Sequence, residues 1–99
     1  MNMQSLMAQA QKMQRDMQKK KEEIDNTNFE GTSELVNITI NGKKQIVSIN
    51  IKKDASLESD DLEVLEDMIK IAYNQAADKV DKEIDSKLGT IGNGLGGLF

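Results

Sequence analysis

Apolar positions along the chain fall into three groups with different spacing. In the first, Met3, Ala10, Met17 and Ile24 recur seven residues apart, Leu6 and Met13 take the intervening position, and Lys20 breaks the series. That spacing predicts a helix over about residues 1–25. Its stripe is two residues wide and largely methionine, which suits contact with one other helix better than a broad core. The run Asp25-Asn26-Thr27-Asn28 ends it, each residue being a poor helix former and a good turn former.

Over residues 28–53 the period changes to two. Phe29 to Ser33 is a short candidate strand. From Leu35 to Ile40, Val36, Ile38 and Ile40 alternate with Asn37 and Thr39; from Ile46 to Lys52, Val47, Ile49 and Ile51 alternate with Ser48 and Asn50. Asn41-Gly42 between them is a hairpin signal. A two-residue turn would pair Ile40 with Lys43, and a four-residue loop would pair Ile38 with Val47. Either puts all six β-branched residues on one face. The sheet is therefore expected to be antiparallel, apolar on one side and polar on the other.

The third group covers the apolar side. Leu62, Leu65, Ile69, Ala72, Ala76, Val80, Ile84 and Leu88 predict a helix over about residues 59–88, with Asp60 as its cap and Glu63 completing a capping box. The spacing begins as alternating three and four and becomes uniformly four, so the stripe rotates. The first half is suited to the sheet and the second half to another helix. Such a helix is roughly 43 Å long at 1.5 Å per residue and overhangs a three-stranded sheet. Residues 89–99 read as a flexible glycine-rich tail. The predicted fold is α+β, one α-β-β-β-α domain over residues 1–99 with a small antiparallel sheet between long terminal helices.

Composition changes this picture in one respect. Apolar residues make up 37% of the chain, and Phe29, Tyr73 and Phe99 are the only aromatics. A lone chain with so few large side chains is marginal, so a homodimer is expected, with Met3, Leu6, Met13, Met17, Val80 and Ile84 as candidate helix-packing and dimer positions. The sequence holds no cysteine and no histidine. Thiol chemistry and the commonest general base are thus excluded, and neither an enzyme nor a metal or other cofactor is expected. An EF-hand loop opening at Asp54 would need glycine at Ser59 and glutamate at Leu65, so the acidic run reads as helix capping and a solvated face. Gly92 to Gly97 spell G-x-G-x-x-G, but a helix precedes them where the dinucleotide mechanism needs a strand. Gln4, Gln9, Gln11 and Lys12 interrupt any signal-like apolar run, which points to a cytoplasmic protein without a membrane segment.

Charge is unevenly spread. Residues 1–53 carry nine Lys/Arg against six Asp/Glu, net +3, whereas residues 54–99 carry four against eleven, net −7. The front half suits a polyanion. Lys12, Arg15 and Lys19 recur at helical spacing and share a face; with Lys20, Lys21, Lys43 and Lys44 they are the candidate DNA contacts. The alternative is a salt-bridged helix surface, since Asp16, Glu22 and Glu23 are interleaved. With no aromatic platform and no helix-turn-helix pattern, any DNA contact would read the backbone more than base edges.

The segments "MAQAQKMQRDMQKKKEEI" (7–24), "FEG" (29–31), "LVNITINGKKQIVSINI" (35–51) and "LEDMIKIAYNQAADKVD" (65–81), with the closing glycine-rich "GLF", resemble the YbaB/EbfC nucleoid-associated proteins over nearly the whole chain. The resemblance implies a tweezer-like cytoplasmic homodimer that binds double-stranded DNA in the nucleoid, with effects on nucleoid organisation, gene expression or DNA protection and no enzymatic activity. It implies no small-molecule substrate and no membrane partner. The chain departs from that pattern in the short link Thr32-Ser33-Glu34 and in the absence of proline from Lys52 to Leu57. Assigning the basic stripe to DNA rests on charge and not on the family. The competing reading is a dimeric protein-interaction adaptor that uses the methionine-rich helix without DNA.

Overall fold

A computed structural model describes residues 2–52 and 57–94. The elements run α1 (Met3–Asp25), β1 (Phe29–Thr32), β2 (Val36–Ile40), β3 (Ile46–Ile51) and α2 (Asp61–Gly94), the α-β-β-β-α order expected. Asn2 caps α1 by accepting a 2.8 Å hydrogen bond from the Ser5 amide. At the other end the Asn26 amide group donates to the Glu22 carbonyl (2.9 Å) and the Thr27 hydroxyl to the Glu23 carbonyl (2.6 Å). These side chains occupy carbonyls that a further helical turn would otherwise satisfy, which is how the polar stop works.

The sheet order is β1-β2-β3, antiparallel throughout. Val36 pairs with Ile51 and Ile38 with Ile49, so the apolar residues share a face as expected. The register differs from both expected forms: Ile40 pairs with Ile46 through a connection of five residues, Asn41–Gln45. Val47 becomes the extra residue of a β-bulge, so Ile46 and Val47 together stand opposite Ile40. The cause is Asn41. Its side-chain oxygen accepts from the Lys43 amide (2.9 Å) and the Gln45 amide (3.1 Å), and its carbonyl accepts from the Lys44 amide (2.9 Å). That network favours a longer turn over the tight primed one.

α2 crosses the apolar face of β1 and β2. Val36, Ile38 and Ile40 pack with Ala72, Ala76 and Val80 into a buried cluster, bordered by Phe29, Leu65, Ile69, Tyr73 and Ile84. Each fully buried aliphatic side chain contributes about 1.5–3 kcal/mol. The alanines permit close approach, and Gly31 extends it: a Cβ there would fall inside the Ala72 carbonyl group and 2.8 Å from the Ala76 nitrogen. α2 also closes the outer edge of β1. Gln75 accepts from the Thr32 amide (2.7 Å), Lys79 donates to the Glu30 carbonyl (2.7 Å), and Ser33 donates to the Met68 carbonyl (2.9 Å). An edge covered in this way offers no ladder to another chain.

α2 begins at Asp61, which leaves Asp60 at the expected cap position, and the Asp61 carboxylate accepts from the Glu58 amide (2.9 Å) in the turn before it. The other end runs past Leu88 to Gly94 across a break at Gly89, whose φ of 59° and ψ of −151° suit glycine. The break falls directly after Leu88, where the helix is expected to end; residues 90–94 form a further helical turn beyond it, and residues 95–99 of the expected tail lie outside the described part. Glu66 and Lys70, four apart on α2, form none of the ion pairs found among the described residues. No helix among those residues is long and apolar enough to cross a membrane.

Candidate nucleic-acid interface

α1 is an arm. Ile24 is its one buried residue among those described, and Met17, Lys21 and Asp25 are half-buried on the same side near its C-terminal end. At 1.5 Å per residue the helix is about 34 Å long, and its first dozen residues are exposed. The molecule measures 70 × 19 × 16 Å with a radius of gyration of 19.1 Å, whereas a compact chain of this length would have about 13 Å. The difference is helix standing clear of the body.

At about 100° per residue, Lys12, Arg15 and Lys19 fall within about 60° of one another and lie nearly opposite the stripe formed by Leu6, Met13, Met17 and Ile24. All three cations are exposed, as are Lys20 and Lys43. None of these five takes part in the ion pairs among the described residues, which are Lys21–Asp25 (3.0 Å), Lys44–Asp81 (2.9 Å) and Lys87–Glu83 (3.8 Å). Asp16, Glu22 and Glu23, interleaved in sequence, form no ion pair with these cations among the described residues. Lys21 is turned to Asp25 within the helix and Lys44 to α2, so the seven candidate cations divide into five outward and two engaged. Lys43 lies on the β2–β3 connection, whose Gly42 amide donates to the Asp25 carbonyl (3.3 Å) at the foot of the arm. It therefore extends the cationic surface toward the body.

The packing candidates divide as well. Val80 is fully buried inside the chain and Ile84 is half-buried against the same core, so Val80 has no surface to give a second chain. Met3, Leu6 and Met13 are exposed and Met17 is half-buried.

Two features were outside the reach of sequence. All six residues of β3 are exposed, because α2 contacts β1 and β2 but not β3. Ile46, Val47, Ile49 and Ile51 remain 51%, 55%, 44% and 37% exposed, an uncovered apolar strip beside α2. Alternation showed an apolar face but not how much of it one helix covers. The second feature is Lys44, whose φ of 63° is in the left-handed region that costs a residue with a Cβ about 1–2 kcal/mol.

Among the described residues, the molecule is thus a cationic arm on an α+β body with a bare apolar edge strand. The chain belongs to the YbaB/EbfC DNA-binding family, whose profile matches residues 1–95. It is 42% identical over 99 residues to a nucleoid-associated protein of Ruminiclostridium cellulolyticum, covering 98% of this chain and 85% of that one. It is 44% identical over 97 residues to a nucleoid-associated protein of Streptococcus suis, covering 96% and 97% respectively. A nucleoid-associated protein of Lactococcus lactis is 43% identical, again over 97 residues, with the same coverage.

Proposed function

We propose that this protein binds double-stranded DNA in the nucleoid as a homodimer, mainly through backbone phosphates and with low sequence specificity. The observation that carries the reading is the cationic face of α1, exposed, outside the ion pairs among the described residues and turned away from the apolar stripe. Phosphate contact requires an accessible stripe of positive charge and no base-reading geometry. The family and the names of the relatives support the coarser part of the reading, DNA binding in the nucleoid. Bending or bridging of DNA by paired arms would give such a protein its effect on nucleoid organisation, gene expression or DNA protection.

Anisotropy of a labelled random-sequence duplex, titrated at several salt concentrations, tests this. Log K should fall linearly with log salt, at about −0.9 per phosphate neutralised. Absence of binding even at low salt would move the function to the adaptor reading, which the exposed Met3, Leu6, Met7 and Met13 would then serve.

The dimer in this reading is supported by β3. Its outer edge is unpaired in the sheet and its apolar face uncovered, a combination that soluble monomers avoid. A second copy is the occupant that the modest apolar fraction and the scarcity of large side chains favour, and two-fold symmetry would place the two arms as a pair. Val47→Asp with Ile49→Asp should turn a sedimenting dimer into a monomer while leaving the helical circular dichroism intact. A wild-type protein that sediments as a monomer at micromolar concentration would remove the dimer.

A further inference from the structure

The arm is held at its foot by an unusual loop. Gly42 does not have positive φ, so its role is not the primed turn that Asn41-Gly42 suggests; the left-handed residue of the connection is Lys44. What Gly42 provides is proximity. A Cβ there would fall inside the Ile24 carbonyl group and 2.8 Å from the Asp25 nitrogen, both backbone atoms of α1 that cannot swing aside. The Gly42 amide donates to the Asp25 carbonyl at 3.3 Å. On its other side the same loop is tied to α2: the Tyr73 hydroxyl donates to the Lys44 carbonyl at 3.0 Å, and the Lys44 ammonium meets Asp81 at 2.9 Å. A glycine at position 44 would relax the backbone. The lysine side chain retained there spans to α2.

We propose that the Asn41–Gln45 connection is a lock that sets the angle of the arm against α2, with Gly42, Tyr73 and Asp81 as positioning residues for DNA binding. Beyond this foot the arm touches α2 only along its C-terminal part, where Ile24 is its one buried side chain among the described residues and Met17 is half-buried, while its first dozen residues stand exposed. An error in angle at the foot is carried along about 34 Å of helix, so a small displacement there moves Lys12 and Arg15 by several ångströms. The lock decides how many phosphates the arms reach together. This second half rests on the DNA-binding reading; the angle itself does not.

The chain has no cysteine, so two introduced thiols can be labelled cleanly. Nitroxides at Gln9→Cys on the arm and Asn37→Cys on the polar face of β2, diluted with unlabelled protein, report the angle as a distance distribution without DNA. Both sites are exposed. Gly42→Ala should shift or broaden that distribution while circular dichroism stays native. It should also make the salt dependence of DNA binding shallower by about 0.9 for each phosphate no longer reached, although no charge has been removed. Should Gly42→Ala fail to fold, the milder pair Tyr73→Phe with Asp81→Ala decides, and its sign is diagnostic. Charge alone predicts tighter DNA binding, because a carboxylate is lost and Lys44 is released. The lock predicts a broader distance distribution and weaker binding. Distances unchanged from wild type in the folded variants would overturn the lock. Altered distances in a protein that shows no salt-dependent DNA binding would uphold the lock and remove the DNA reading instead.

Discussion

Replacing Lys12, Arg15 and Lys19 together by glutamine should flatten the salt dependence of DNA affinity more than any comparable change in the body of the protein. Each residue is exposed and outside every ion pair among those described, so each is available to displace a counterion from a phosphate. A slope of about −0.9 per contact gives a loss of roughly 3 in slope for one arm and up to about 5 for two arms that both engage. At moderate salt that corresponds to a fall in affinity of about a hundredfold or more. The substitutions should be silent in stability, because glutamine matches lysine and arginine closely in helix propensity and the three sites bury nothing. Lys70→Gln with Lys82→Gln on exposed positions of α2, set against the double variant Lys12→Gln with Arg15→Gln, is the matched control and should change the slope little. Equal slopes for the triple variant and wild type would show that the arm is not the contact.

The arm and its cations were legible in sequence because helical spacing places residues on a face whatever the rest of the chain does. The same holds for the strands, where period two survives the unanticipated bulge: Val36–Ile51 and Ile38–Ile49 keep the expected face, and only the loop length and the position of Val47 differ. What was not legible concerns how elements meet. The stripe of α2 rotates as its spacing suggests, yet spacing cannot tell that the helix covers two strands and leaves the third bare. Lys44 is one of seven basic candidates in sequence; its left-handed backbone and its tie to Asp81 arise from tertiary contact alone. Val80, read as surface for helix packing, is enclosed because Ala72 and Ala76 let the sheet come close enough to cover it.

Gly31 is the residue on which that close approach depends, and Gly31→Ala should be the most destabilising methyl addition in the sheet. In an ordinary strand the exchange would help slightly, since glycine loses more backbone entropy on folding than alanine. Here the sign reverses. The added Cβ would overlap the Ala72 carbonyl group and crowd the Ala76 nitrogen, and neither is the end of a flexible side chain. Relief requires α2 to lift from β1, which strains the Gln75–Thr32 and Lys79–Glu30 hydrogen bonds that close the edge and opens gaps over Ile38. Overpacking against backbone falls at or above the upper end of the usual range, about 3 kcal/mol, or about 12–24 °C in melting temperature for a domain of this size. Glu30→Ala, one position earlier with an exposed side chain, should shift the melting temperature by no more than a few degrees. A Gly31→Ala protein that melts with wild type would mean that α2 rides higher on the sheet than described. The burial of Val36, Ile38 and Ile40 beneath it would then need another source.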